Sequence, residues 1–251
     1  MLEFRAILTY HSLDDSGAVI SLAPAIFQRQ MRSLFERGIT VSSPEDLAAG
    51  RGLEGLNPAL SLTFDDGFSN FYTKAFPALA EYRIPATVFL VAGAVGARSK
   101  WADQPSSAAG SEILCWSRVE ELRRAGVRFG AHTMSHPRLT DLPLDRARAE
   151  ILDSKRAIED RIGGPVTAFA YPYGAESEEL RTLVGEHFEV GLSTRMGYLR
   201  PSSRRESLER IDVYYLRSLF WYRRLFRRAT GAYLVCRSTL RGWKHSVTGP
   251  S

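Results

Sequence analysis

Leu60-Ser61-Leu62-Thr63-Phe64-Asp65-Asp66-Gly67 is a short apolar run that ends abruptly in two carboxylates and a glycine. The run predicts a buried strand. A strand that opens onto paired aspartates is how parallel α/β folds present polar chemistry at their strands' carboxyl ends. Successive residues on a strand point to opposite faces, so Asp65 and Asp66 need not share a job: one can hold a metal while the other works on a proton. Alone, the octet reads equally well as a strand followed by an acidic turn, because Asp and Gly are common turn residues. The chain on either side decides between the two.

The chain has 251 residues, 44% hydrophobic and 24% charged, which suits one soluble domain with a full core. Cys115 and Cys236 lie far apart without CxxC spacing and predict neither a disulfide framework nor a cysteine metal site. The start lacks the cationic and apolar regions of a signal peptide, and the longest uncharged apolar stretch, residues 86–97, is too short to span a bilayer. A soluble, cytoplasmic protein is expected. Residues 213–251 carry eight Lys or Arg and no Asp or Glu; taking these eight from the chain's +5 leaves −3 on the first 212 residues. The basic character belongs to the tail, and no nucleic-acid partner is expected for the body.

Residues 4–10 read as a first strand ending at His11. Residues 24–37 place Phe27, Met31, Leu34 and Phe35 on one helical face, with Gly38 as the stop. A helix is expected over residues 71–82, broken at Pro77, and a strand over 86–91. A polar loop over residues 98–111 carries Trp101 and Asp103, and Ser117-Arg118-Val119-Glu120 forms a capping box that opens the next helix. A brief strand at 127–130 leads into Ala131-His132. Leu144, Ala147, Ile151, Ile158 and Ile162 recur at helical spacing before Gly163-Gly164 ends the segment. Residues 166–171 read as a strand, Ser177 caps a helix carrying Leu180, Leu183 and Val184, and residues 190–193 and 211–214 are the last strand-like pieces. This alternation argues for one domain with a parallel sheet and crossover helices, open or closed into a barrel.

His132-Thr133-Met134-Ser135-His136 is the second signal. Two imidazoles four apart lie on one face of a helical turn and can bind one metal ion, although an ordinary polar turn has the same spacing. With Asp66 they make two nitrogens and one oxygen and leave positions open for water, as a catalytic site does. The third signal is Phe169-Ala170-Tyr171-Pro172-Tyr173-Gly174. Its aromatics could close a barrel rim, or wall a sugar site and aim a backbone N–H at a developing oxyanion.

Taken in order, Thr63-Phe64-Asp65-Asp66-Gly67, His132-Thr133-Met134-Ser135-His136 and Tyr171-Pro172-Tyr173 resemble the polysaccharide deacetylase family of metal-dependent carbohydrate esterases. Trp116, Gly130-Ala131-His132 and Glu150-Ile151-Leu152-Asp153-Ser154-Lys155 extend the likeness, which covers residues 4–214. The resemblance implies an α/β fold, a distorted (β/α) barrel of about seven units. It implies removal of acetyl groups from amino sugars of a cell-surface polysaccharide or its precursor. By motif position, Asp65 would be the general base, and Asp66, His132 and His136 the ligands of a divalent metal. Zinc is the default for two His and one Asp, with cobalt, nickel and manganese as alternatives. Water held there would attack the acetamide carbonyl while Asp65 takes its proton. The Tyr173 N–H would help hold the oxyanion, and Tyr171, Pro172 and Trp101 would contact substrate.

The chain departs from the family pattern at two points. Many members begin the third motif with an arginine that orients the catalytic aspartate; here that position is Ala170. Many take a general acid from a Leu-x-His motif near the C-terminus, whereas this tail has only His245, at a spacing that does not match. His187 reads as a capping or surface residue. His11, closing Leu8-Thr9-Tyr10-His11, resembles the exopolysaccharide branch, whose permuted order supplies the acid from the first strand. His11 is therefore the expected acid, against a purely structural hydrogen-bonding role. Arg210 is the candidate stand-in for the missing arginine, against an ion pair with Glu206 or Glu209.

The expected layout is a deacetylase-like barrel over residues 1–214 and a basic, aromatic tail over 215–251. On a helical wheel Leu219, Tyr222, Leu225 and Phe226 share a face opposite Arg217, Arg224 and Arg228, while Leu216, Phe220 and Trp221 blur the division. Such a tail either packs on the barrel with its arginines solvated, or makes peripheral contact with anionic lipid at the inner face of the membrane. Two other function classes share these motifs. One is a non-catalytic glycan-binding protein on a deacetylase fold. The other is a non-haem iron oxygenase, which uses the same ligand set but leaves Asp65 beside Asp66 unexplained.

Overall fold

In a computed structural model the described residues are 5–53, 58–101 and 110–247, with side chains described as far as residue 237. The first half runs β1 (Arg5–Tyr10), β2 (Ser12–Leu13), β3 (Ser21–Leu22), α1 (Pro24–Glu36), β4 (Thr40–Val41), α2 (Pro44–Ala49), β5 (Ala59–Phe64), α3 (Phe76–Glu81) and β6 (Thr87–Leu90). The second runs α4 (Trp116–Arg124), β7 (Arg128–Ala131), α5 (Leu144–Ile162), β8 (Ala168–Ala170), α6 (Glu178–His187), β9 (Val190–Met196), β10 (Leu208–Asp212), α7 (Leu219–Arg223) and α8 (Arg228–Val247).

Seven strands close a parallel barrel in the order β1-β10-β9-β8-β7-β6-β5, and β5 returns to β1 in register from Arg5↔Ala59 to Tyr10↔Phe64. The short β4 pairs with β5 at Ala59 and Leu60, below the rungs that β6 takes at Thr63 and Phe64. Strand alternation sorts the side chains. Ala6, Leu8, Tyr10, Leu60, Leu62, Phe64, Val88 and Leu90 join the cluster under the helices, while Ile7, Ala59, Phe89, Ala168, Ala170 and Leu192 form a separate cluster inside the barrel. The lumen is narrow: a Cβ on Gly130 would lie 2.4 Å from Phe89 Cε1. Because every barrel strand runs the same way, the carboxyl ends of β1, β5, β7 and β8 meet at one rim, and the three motifs follow those ends.

Several local expectations change. Phe35 and Leu144 are exposed, because α1 buries Gln30 and Ser33 beside Phe27, Met31 and Leu34, and α5 turns its first residue outward. The break at Pro77 takes the form of a π-turn over Phe71–Ala75 that runs into α3; a wide turn accommodates the missing N–H and the ring. The Ser117 capping box does not form. Leu114 N–H is pinned to the Gly67 carbonyl (2.8 Å), so α4 starts at Trp116 with Cys115 as its cap. Ser177 does cap α6, its hydroxyl accepting from Leu180 N–H, and Gly163 closes α5 at φ 62°.

The tail does not separate at 214/215. Leu216, Tyr222, Leu225 and Leu234 are buried in the same core as the barrel's outer face. Gln30 Nε2 donates to the Leu216 carbonyl (3.0 Å), and the Tyr10 hydroxyl donates to Gln30 Oε1 (2.9 Å). Among the described residues no helix is long and apolar enough to cross a membrane. Asp103 and the side chain of His245 lie outside what is described.

Candidate active site

Asp65 is the last rung of the β1–β5 ladder, its N–H donating to the Tyr10 carbonyl at 2.9 Å. Asp66 (φ 69°) and Gly67 (φ 71°) then turn the chain left-handed. Aspartate tolerates that region better than most L-residues, and glycine enters it freely. This turn, in place of strand alternation, brings both carboxylates to the same rim.

Residues 132–136 are an irregular loop and not the expected helical turn, with Thr133 at φ 67° and His136 at φ 63°. The loop is held from three sides. Thr133 Oγ1 accepts from His136 N–H (2.9 Å), and the N–H groups of Ala92 and Gly93 donate to the carbonyls of Thr133 (3.0 Å) and Met134 (2.9 Å). From α5, Glu150 Oε2 accepts from the N–H groups of Met134 and Ser135, both at 2.9 Å, and Oε1 accepts from Ser135 Oγ at 2.7 Å. So constrained, the loop points His132 Nε2 and His136 Nε2 at Asp66 Oδ1, 3.5 and 3.3 Å away. Of the five non-glycine residues with positive φ among the described residues, Asp66, Thr133, His136 and Tyr173 are at this rim, and only Arg83 is elsewhere. Backbone strain of this kind is stable only where the surroundings impose it.

The donor set fits a divalent metal. All three residues are buried and their candidate ligand atoms lie within 4.8 Å of one another. His132 Nδ1 is 2.7 Å from the Ala170 carbonyl, which can only accept, so that nitrogen carries the proton and Nε2 keeps its lone pair. Burial opposes ionisation of Asp66, yet the neighbouring imidazoles outweigh it and hold the carboxyl far below its usual range.

Asp65 has a different environment. Arg210, on β10 and 3% exposed, donates Nη1 to Oδ1 and Nη2 to Oδ2 at 2.8 Å each, and Nε to the Ser193 carbonyl at 2.8 Å. The bidentate fork holds the carboxylate plane in one orientation. Burial raises the Asp65 pKa, but the charge of Arg210 and its hydrogen bonds bring it below the ordinary value. Arg210 is thus not the partner of its neighbours in sequence: Glu206 pairs with Arg204, and Glu209 lies 3.7 Å from Arg195. His11 Nε2 stands 4.0 Å from Asp65 Oδ2, its side chain 20% exposed, on the solvent side of the carboxylate.

Around the donors, the rings of Trp101 and Tyr173 flank His136 with centroids 4.8 and 4.7 Å from its own. Two expected substrate contacts are not available. Tyr171 continues the alternation of β8, with Phe169 outward and Ala170 inward, so it is fully buried among the helices and its hydroxyl donates to the Glu206 carbonyl (2.8 Å). Pro172 is buried too; it begins the single turn Pro172–Gly174 that sets Tyr173 at φ 58°. Glu150 went unrecognised as a site residue. Periodicity marks it only as a polar position of α5, and nothing local shows that its carboxylate reaches the loop. Glu150→Ala leaves two N–H groups without their acceptor and frees the strained loop. It is expected to lower metal affinity by about 10–100-fold at unchanged helix content, with partial recovery in Glu150→Gln, as measured by calorimetric metal titration.

A parallel barrel with its ligands and a clamped aspartate on one rim is the architecture of a sugar deacetylase, and comparison with known proteins agrees. The family model for polysaccharide deacetylase matches residues 54–187, more than half of the chain, and the chain belongs to that family. It is 33% identical over 125 residues to a chitooligosaccharide deacetylase of Rhizobium leguminosarum bv. phaseoli, a match covering 49% of this chain and 48% of the relative. It is 31% identical over 141 residues to the poly-β-1,6-N-acetyl-D-glucosamine N-deacetylase of Escherichia coli K12, covering 50% of this chain and 20% of the relative. The chain therefore spans about half of the first relative and a fifth of the second. The structure of the Streptococcus pyogenes deacetylase PplD in complex with acetate aligns with a TM-score of 0.72 at 25% identity, covering 83% of this chain and 92% of that one. The family is generally dependent on a divalent metal, and Asp66, His132 and His136 provide a place for one.

Proposed function

We propose that this chain is a metal-dependent N-deacetylase acting on N-acetylglucosamine-type residues of a cell-surface polysaccharide or its precursor. The observation that carries the reading is the division of labour at the rim: Asp65 is locked by Arg210 and kept off the metal donors, while Asp66 faces His132 and His136. A divalent metal held by those three residues, zinc by default, would supply Lewis acidity to polarise the acetamide carbonyl and acidify water. Asp65, kept ionised by Arg210, accepts the proton of the attacking water. His11, on the open side of the same carboxylate, gives a proton to the departing amine. The N–H of Tyr173 is the candidate oxyanion donor, and the Trp101 and Tyr173 rings are positioned to pack on sugar faces. The named substrates of the two relatives, a chitooligosaccharide and a poly-N-acetylglucosamine, support the choice of sugar.

The non-catalytic reading drew on the absent motif arginine and the absent C-terminal histidine; Arg210 on Asp65 answers the first, and His11 is the candidate that answers the second. The iron-oxygenase reading has no support from the family match. Acetate release from N-acetylglucosamine oligomers tests the proposal: activity should vanish with chelator and return on metal add-back. Oligomer binding without acetate release on any metal would establish the glycan-binding alternative instead. His11→Ala is expected to lower turnover by about 10²–10⁴-fold with metal content unchanged; normal turnover would remove His11 as the acid.

A further inference from the structure

Where α7 crosses the end of α1, the surface becomes strongly cationic. Arg223, Arg224, Arg227 and Arg228 are exposed, as is Arg37 on the neighbouring helix end. Among the described residues no carboxylate comes within 4.0 Å of Arg37, Arg224, Arg227 or Arg228, and Arg223 has only Glu36, at 3.7 Å. From residue 213 to residue 251 the sequence holds no Asp or Glu to neutralise them. Such a cluster costs electrostatic free energy in the isolated chain and is relieved by a partner dense in negative charge.

The patch has an apolar component as well. Phe220 is 53% exposed, with the Arg224 guanidinium 3.8 Å over its ring. Arg217 joins α7 to the loop after His11, its Nη2 donating to the carbonyls of Ala18 and Ser21, and between those two residues Val19 is 56% exposed. A soluble polyanion would call for the cations alone. Exposed Phe220 and Val19 among arginines match a bilayer interface, where guanidinium groups meet phosphates and apolar side chains enter the headgroup–acyl boundary.

We propose that this face docks on an anionic lipid bilayer, with the arginines on headgroup phosphates and Phe220 and Val19 in the interface. The docking does not depend on the deacetylase reading. The test is co-sedimentation of the full chain with phosphatidylcholine vesicles, with and without phosphatidylglycerol. The chain should bind the anionic vesicles, ignore the neutral ones and dissociate at high salt. Combined Arg223→Ala, Arg224→Ala, Arg227→Ala and Arg228→Ala should weaken partitioning by more than about tenfold, without lowering the melting transition, because these side chains are exposed and repel one another. Phe220→Ala should weaken binding while leaving its salt dependence in place. Failure to bind anionic vesicles, or equal binding by the quadruple variant, overturns the proposal. Capture of soluble polyphosphate without vesicle binding also overturns it and reassigns the patch to a soluble polyanion.

Discussion

Arg210→Met is expected to destabilise the fold by about 3–5 kcal/mol, because it leaves Asp65 buried without its charge partner. Both residues are 3% exposed, and the pair shares two hydrogen bonds of 2.8 Å, so water cannot replace the lost guanidinium. The pH dependence follows from the direction of the Asp65 shift. Its native pKa is depressed, so the stabilisation is complete above the ordinary carboxyl range and is lost as pH falls through the native value. In Arg210→Met burial meets weaker opposition and the Asp65 pKa rises. The deficit should then be largest near neutrality and shrink in acid, where wild type loses the same contribution. Denaturant titrations of both chains at neutral and acidic pH measure this, and a deficit independent of pH would mean that lost packing outweighs the ion pair. Arg210→Lys should recover only part, since an ammonium cannot form the planar fork.

The adjacent aspartates should respond differently to the same substitution. Asp65→Asn and Asp66→Asn are each expected to reduce acetate release by about 10²–10⁴-fold or more, the range of a lost general base. Only Asp66→Asn should lose metal. Asp66 Oδ1 lies 3.3–3.5 Å from both imidazole Nε2 atoms, whereas the oxygens of Asp65 are occupied by Arg210. Metal stoichiometry and turnover measured on the same samples separate the roles. Loss of metal in Asp65→Asn would show the two carboxylates to be a joint ligand and end the division proposed for them.

Most of the strands, and the Asp66, His132 and His136 that the rim brings together, were legible in the chain. Residues 60–64 are a compact apolar run, and the carboxylates and imidazoles stand immediately after such runs, where a parallel sheet must place them. The errors are equally local. Spacing of four between His132 and His136 suits a helical turn, but it also suits the loop that Glu150, Thr133 and the Ala92–Gly93 backbone impose. Tyr171 looks like a sugar contact beside Tyr173, yet β8 alternation sends one outward from the barrel, under the helices, and the Pro172 turn sends the other to the rim.

The sequence by itself determined a β/α chain whose strands end in Asp65-Asp66, His132 and Tyr171, because apolar runs and the chemistry at their ends are properties of neighbouring residues. Only the tertiary structure decided the partner of Arg210. Glu206 and Glu209 are its neighbours in sequence, but pairing of β10 with β1 and closure of β1 on β5 carry its guanidinium across 145 positions to Asp65. It likewise decided that Leu216, Tyr222, Leu225 and Leu234 join the core, since an amphipathic tail cannot state which surface will cover its apolar face. Local propensity is written residue by residue, whereas ion pairs and helix docking depend on which distant segments the closed barrel brings within a few ångströms.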